Sequence, residues 1–307
     1  MLVGRMSSVL IGKGVAMKSA ANFVALFITI MCAAALFFTG CAPKTVNEVS
    51  IEEPPSVEQT QPQPKPTPPP TLQPTPEPTP IPSPGSDFYD EFFNSSVFIG
   101  DSITQGLQNY VTKMRKDRPL LLGDANFAAA KSFNLERVCK KRVSSDGALR
   151  YRGKAMTIPG IINEMGVNTV YIMLGVNDWA GSHIDGSNAL YRELLGNIRS
   201  ECPGVNICIQ SCTPVTKSGE RDKLNNENLD DFNDSLQVLC EETGAHYVDV
   251  STALKSEDNC LKPEFSSDHY VHVSKEGAIA WVNALYQYAY DAYASGAWTP
   301  SNERSQS

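Results

Sequence analysis

Residues 95–106 read SSVFIGDSITQG. Three apolar residues, Val97 to Ile99, run into Gly100-Asp101-Ser102, and a polar stretch then leads to Gly106. A short apolar run closed by turn residues is the pattern of a strand buried on both faces. In open α/β sheets, ligands bind beyond the carboxyl ends of the strands. A strand that stops on a carboxylate and a hydroxyl therefore puts polar chemistry where such folds keep their sites. Taken alone, the turn also has a plainer reading, because Asp and Ser both accept hydrogen bonds from exposed N–H groups at a helix start.

Outward from this stretch, short apolar runs alternate with longer segments of helical period. The runs are VFI (97–99), a weaker one near LLLGDANF (120–127), TVYIML (169–174), VNICIQSC (205–212) and AHYVDV (245–250). Helical candidates are 133–141, 159–165, 188–201, 224–243 and 274–294. Pro159 suits a first helical turn, and Gly166 and Gly244 suit helix ends. In the last candidate Ala278, Trp281, Val282, Leu285, Tyr288 and Ala292 share one face. Strands alternating with helices predict an α/β fold, a three-layer α/β/α sandwich around a five-stranded parallel sheet.

Polar residues recur at the later strand ends. The third run closes on LGVNDW (174–179), and SSDHYVHVSKEG (266–277) follows the fifth. GDSITQG early, GVND after the third strand and a His with a nearby Asp before the last helix together resemble the SGNH hydrolases, also called GDSL esterases and lipases. The resemblance covers about residues 95–290 and implies a flavodoxin-like fold and serine esterase chemistry without metal or cofactor. By this resemblance Ser102 is the nucleophile, His272 the base and Asp268 its acid. A serine hydroxyl needs a base to take its proton, and an imidazole titrates in the range to do so. The oxyanion donors implied are the Ser102 amide, the Asn177 side chain and an amide after the second strand, aligned at Ala129 or Ala130, with Ala130 taken. The pentapeptide GxSxG of the α/β-hydrolase elbow does not occur.

Two departures from the family pattern bear on these roles. The family glycine is missing from NFAAAKSFN, and Asp268 stands four residues before His272 where the family has three. Either a bulge absorbs the extra residue, or Asp268 points elsewhere and Ser102–His272 is a dyad. Ser274 reads as the cap of the last helix, which favours His272 over His269 as the base. Asp249 reads as a cap for the turn after it, His183 and His246 as ordinary surface or strand residues, and Trp179 as a wall of the substrate pocket. The long connection between Val250 and Ser274 suits a functional loop.

The rest of the chain predicts export and tethering. An uncharged run spans Ala20–Gly40 after Arg5, Lys13 and Lys18, and ends in FFTGC, which resembles the lipobox of bacterial lipoproteins with Cys41 as the lipidated residue. An uncleaved anchor helix is the alternative, and both put the domain outside the membrane, at a bacterial cell surface. Fourteen of the 21 prolines lie between Pro54 and Pro84, so this stretch is an extended spacer. At about 3.1 Å per residue it reaches on the order of 90 Å. The expected organisation is a signal or anchor segment (1–41), a Pro-rich disordered linker (42–86), the hydrolase domain (87–298) and a disordered tail (299–307).

A net charge of −8 and a pI near 5.1, with no Lys/Arg cluster, argue against nucleic acid as a partner. Cys208 and Cys212, four strand residues apart, are about 13 Å from each other, too far for a disulfide. Buried thiols are preferred over a disulfide framework for the six domain cysteines. The expected function is cleavage of a short acyl or O-acetyl ester, on a small molecule or an acylated glycan. A non-catalytic binding module on a degenerate fold, and an acyltransferase, are the alternatives.

Overall fold

Val97, Phe98 and Ile99 form the centre of β1 (Ser96–Gly100), in which every residue is buried. The structure, a computed structural model, describes residues 85, 87–139, 148–178, 184–296 and 298–300. Two compact units divide the chain, Met1–Pro74 and Thr75–Ser307, and all described residues lie in the second. Cys41, the apolar run before it and the Pro-rich spacer lie outside the described residues, as do Trp179 and His183. Among the described residues no helix is long and apolar enough to cross a membrane.

After β1 come β2 (Asn126–Ala129), a small antiparallel hairpin of β3 (Arg150–Tyr151) and β4 (Lys154–Ala155), then β5 (Thr169–Met173), β6 (Asn206–Gln210) and β7 (His246–Val248). Five of these form one parallel sheet in the order β2-β1-β5-β6-β7. The helices are α1 (Phe88–Glu91), α2 (Ser102–Met114), α3 (Leu135–Cys139), α4 (Ile158–Met165), α5 (Ile184–Glu201), α6 (Asn226–Thr243) and α7 (Lys275–Ser295). From β1 the chain moves one way to β2, then in the other direction through β5, β6 and β7. Because parallel crossovers are right-handed, this reversal puts their helices on opposite faces. α2 packs with α7, which also meets α1, whereas α5 contacts α3, α4 and α6. The result is the expected α/β sandwich with flavodoxin-like strand order, and its switch point lies between the ends of β1 and β5.

Several helix ends follow the sequence signals. Thr157 caps α4 with Pro159 in its first turn, Gly166 and Gly244 end α4 and α6 at φ 67° and 68°, and Ser274 caps α7 by accepting from the Gly277 amide. Three elements differ from expectation. The second strand forms at Asn126–Ala129, at the far end of the apolar run, because Arg115 of α2 donates to the carbonyls of Leu121, Gly123 and Ala125 and curls that segment into turns. Helix α2 was not expected, although Ile103, Leu107 and Val111 sit at helical spacing and are buried. Its Ser, Thr, Asn and Gly106 are weak helix formers, and the packed face outweighs them. The β3–β4 hairpin turns on Arg152-Gly153, both at positive φ, a two-residue turn without the usual Asn.

The sheet core has an aromatic ladder. Phe98 pairs with Phe127 on one side and Tyr171 on the other, with ring centroids 5.2 Å and 4.6 Å away and nearly parallel planes. Cys202, Cys208, Cys212, Cys240 and Cys260 are buried, in keeping with the preference for buried thiols. Phe98→Ala should destabilise the fold by about 3–5 kcal/mol, the usual cost of emptying a core aromatic site. Urea denaturation followed by circular dichroism checks this, and a change below about 1 kcal/mol contradicts the ladder's role.

Candidate active site

The close approach of three segments begins at Gly100. A Cβ there would stand 2.0 Å from Thr104 Oγ1 and 2.8 Å from the Met173 carbonyl, so only glycine lets α2 start so tightly against β1 and β5. Asp101 is then the N-cap of α2, its Oδ1 accepting from the Ile103 amide at 2.8 Å. Ser102 is the first helical residue, and its own amide has no partner among the described residues. The cap thus falls on Asp101, and the adjacent Ser102 hydroxyl is not used in capping.

His272 reaches the serine from the other end of the chain. Its Nε2 lies 2.9 Å from Ser102 Oγ, and its Nδ1 lies 2.5 Å from Asp268 Oδ2. The extra residue between Asp268 and His272 is absorbed by His269, which adopts φ +57°. Asp268 Oδ1 meanwhile accepts from the Tyr270 and His272 amides, so the carboxylate folds the turn that it also uses to orient the ring. Thr216 clamps this turn from β6's side, donating from Oγ1 to the His269 carbonyl and from its amide to that of Tyr270. His269 itself is an exposed loop residue. Partial burial alone would raise the Asp268 carboxyl, but the hydrogen bonds from the His272 ring and the two amides outweigh it and hold it below the usual carboxylate value.

Asn177 follows β5 in a short 3-10 turn after Gly175, whose φ of +133° and approach to Phe232 admit no side chain. Its Nδ2 donates to Asp101 Oδ2 at 2.6 Å and makes a long 3.4 Å contact to the Phe133 carbonyl. The second hydrogen is weakly held and is the one an oxyanion can take. Asp178, buried beside it, accepts from the Leu135 and Glu136 amides and so caps α3. Burial pushes its carboxyl up. The Ala130 expectation is corrected: its amide donates to the Gly100 carbonyl at 3.2 Å, which extends the β1–β2 ladder by one bond. Phe133 closes a turn onto the Ala130 carbonyl with Ser132 at φ +56°. Within that turn the Lys131 amide has no partner among the described residues. Asp249 accepts from the Thr252 amide, as a cap for the turn after β7, and His246 lies in β7 stacked on Trp298.

A serine hydroxyl, an imidazole held by a carboxylate and a helix-start amide without a partner among the described residues stand together at the switch point of the sheet. The model of the GDSL-like Lipase/Acylhydrolase family matches residues 98–279, more than half of the chain. The protein belongs to this family. It is an SGNH-type carboxylic ester hydrolase, and the matched span runs from β1 into α7, enclosing Ser102, Asn177, Asp268 and His272. Solved structures similar to this SGNH hydrolase include a mutant of an acetyl-xylooligosaccharide esterase from Geobacillus Stearmophilus, at 18% identity, TM-score 0.46, covering 63% of this chain and 93% of that one. A carbohydrate esterase family 3 protein from Talaromyces cellulolyticus matches at 15% identity and TM-score 0.47, over 65% and 98% of the two chains. A GDSL-like lipase from Bacteroides thetaiotaomicron matches at 16% identity and TM-score 0.47, over 64% and 88%. No curated protein matches the chain.

Asp101 gives this site a pH signature. Burial pushes its carboxyl up to about 6 from an ordinary 3.8, against the opposing effect of the Ile103, Thr104 and Asn177 hydrogen bonds and of His272. With the folded pKa above the unfolded one, the native state binds the proton more tightly. Asp101 therefore favours folding most below pH 3.8, and this contribution is lost as pH rises to about 6. The difference amounts to about 3 kcal/mol. Unfolding free energies of wild type and Asp101→Asn, measured from pH 4 to 7, should diverge by roughly that amount across the window, and parallel curves contradict it.

Proposed function

We propose that this SGNH hydrolase is exported, tethered to a bacterial membrane and active on short acyl esters, O-acetyl groups on polysaccharide above all. The observation that carries the catalytic reading is the 2.9 Å contact between His272 Nε2 and Ser102 Oγ, with Asp268 on the far nitrogen. Ser102 attacks the ester carbonyl while His272 takes its proton. The resulting oxyanion accepts from the Ser102 amide, the Asn177 side chain and the turn amide of Lys131, donors aimed before charge develops. Collapse returns the proton from His272 to the departing alcohol and leaves an acyl-enzyme. Water, activated by the same imidazole, then releases the acid. Asp268 keeps the ring in the tautomer that accepts from serine.

Export and tethering rest on the charged start, the uncharged run to Gly40 and Cys41 in the FFTGC context, with the Pro-rich spacer giving reach. A long spacer from a membrane suits a polymeric substrate in the cell envelope or beyond it.

On a chromogenic acetate ester, Ser102→Ala and His272→Ala should abolish turnover with folding intact, and Asn177→Ala should cost about 3 kcal/mol, roughly a hundredfold. Asp268→Asn should lower kcat on the order of a thousandfold or more. Near-normal turnover in Asp268→Asn makes the pair a dyad, and equal rates for wild type and Ser102→Ala overturn the esterase reading. In a bacterial host, Cys41→Ser should move the protein out of the lipid-labelled fraction, and unchanged labelling contradicts lipidation there.

A further inference from the structure

A cavity of about 450 Å³ opens beside Asn177 and extends to Tyr270, Leu224 and the side chains of Arg221, Asp222 and Lys223. It shares Asn177 with the catalytic centre, and Tyr270 sits in the same turn as Asp268 and His272. Two cations stand on its rim, in a chain whose net charge is −8. Arg221 lies with its guanidinium 5.3 Å over the Tyr270 ring, and Nη1 donates to the carbonyls of Ser218 and Glu220. Its Nε and Nη2 have no partner among the described residues, and neither it nor Lys223 has a carboxylate within ion-pair distance there. By contrast Lys217 and Lys255 nearby are paired, to Glu220 and Asp230. Ring and carbonyls thus hold the guanidinium in one pose and leave its outer donors open, the arrangement that favours bidentate capture of a carboxylate or phosphate. Asp222 lines the same cavity and reduces its formal charge to one positive unit.

We infer that Arg221 and Lys223 form a substrate subsite for an anion, so the preferred esters are carried on a molecule bearing a carboxylate or phosphate near the acylated hydroxyl. An acylated acidic glycan fits this description. The inference rests on the esterase reading above and specifies its substrate class. A chain of net negative charge repels an anionic polymer at long range, so a local pair of unpaired cations is what lets it seat there.

The test uses three matched O-acetylated sugars, a neutral glucoside, a glucuronide and a glucose 6-phosphate, with the full-length protein. In wild type, kcat/KM for one of the anionic esters should exceed the neutral one by about tenfold, through KM, and 0.5 M NaCl should shrink the ratio. Lys223→Gln and Arg221→Gln should lower the anionic-to-neutral ratio several-fold, and Asp222→Asn should raise it. Opposite signs from neighbouring loop residues are not the signature of a merely structural role. Should Arg221→Gln fail to fold, Lys223→Gln and Asp222→Asn still decide. A preference for the glucuronide identifies the carboxylate as the recognised anion, and a preference for the phosphate ester identifies phosphate. A wild-type ratio near one, or a ratio that these substitutions leave unchanged, overturns the subsite while leaving esterase activity standing. Absence of hydrolysis of every ester, the chromogenic acetate included, overturns the esterase reading itself.

Discussion

At the carboxyl end of β1 a carboxylate withdrawn from water joins two segments that are far apart in sequence. Asp101, 1% exposed, accepts from Ile103 in its own helix and from Asn177 after β5. An ionised group in such a place is costly unless its oxygens are satisfied. Those bonds therefore hold the start of α2 and the β5 loop in one relative position. Asp178, next to Asn177, continues the chain of constraints by capping α3, which fixes the turn that carries Lys131. The consecutive Asn and Asp thus cross-link the strand-end loops after β1, β2 and β5.

The imidazole of His272 arrives by a different principle. Asp268 is about a third exposed, and what holds it is a compact set of hydrogen bonds in one turn rather than burial. Thr216 ties that turn to the segment after β6, while the Ser274 hydroxyl and amide bind the carbonyls of Glu264 and Phe265. Helix α7 behind it is anchored in the core through Trp281, whose indole N–H donates to Gln210 of β6. The two carboxylates nearest the serine consequently sit on opposite sides of their ordinary values, Asp101 pushed up by burial and Asp268 held down by its donors. Environment alone separates a scaffold acid from an orienting one.

The strands were legible because a parallel strand buried on both faces is an unbroken apolar run, as in β1 and β5. Ser102, Asn177 and His272 were legible because each stands at a strand end or helix start with a recognisable neighbour pattern. Helix α2 is not legible in the same way, since its fully buried apolar positions are three residues among polar and half-buried ones, and their value depends on the sheet they pack against. The place of β2 depended on Arg115, which gathers carbonyls six to ten residues downstream, a contact that local propensity does not report. The Ala130 amide was misassigned for a similar reason. Whether a backbone N–H is free or already in a ladder is a property of register, and with Ala129 opposite Gly100 the next amide, that of Ala130, donates to the Gly100 carbonyl.

By themselves, the residues determined an alternating α/β chain with a serine, an asparagine and a histidine at successive ends of its sheet, because side-chain patterning carries burial and turn chemistry directly. The tertiary structure decided whether an Asp four residues before the histidine reaches its ring. It does, because one residue at positive φ takes up the surplus and Thr216, more than fifty positions away, clamps the turn. It also decided which cations stay unpaired. That depends on what else comes within a few ångströms, and spacing along a chain does not contain it.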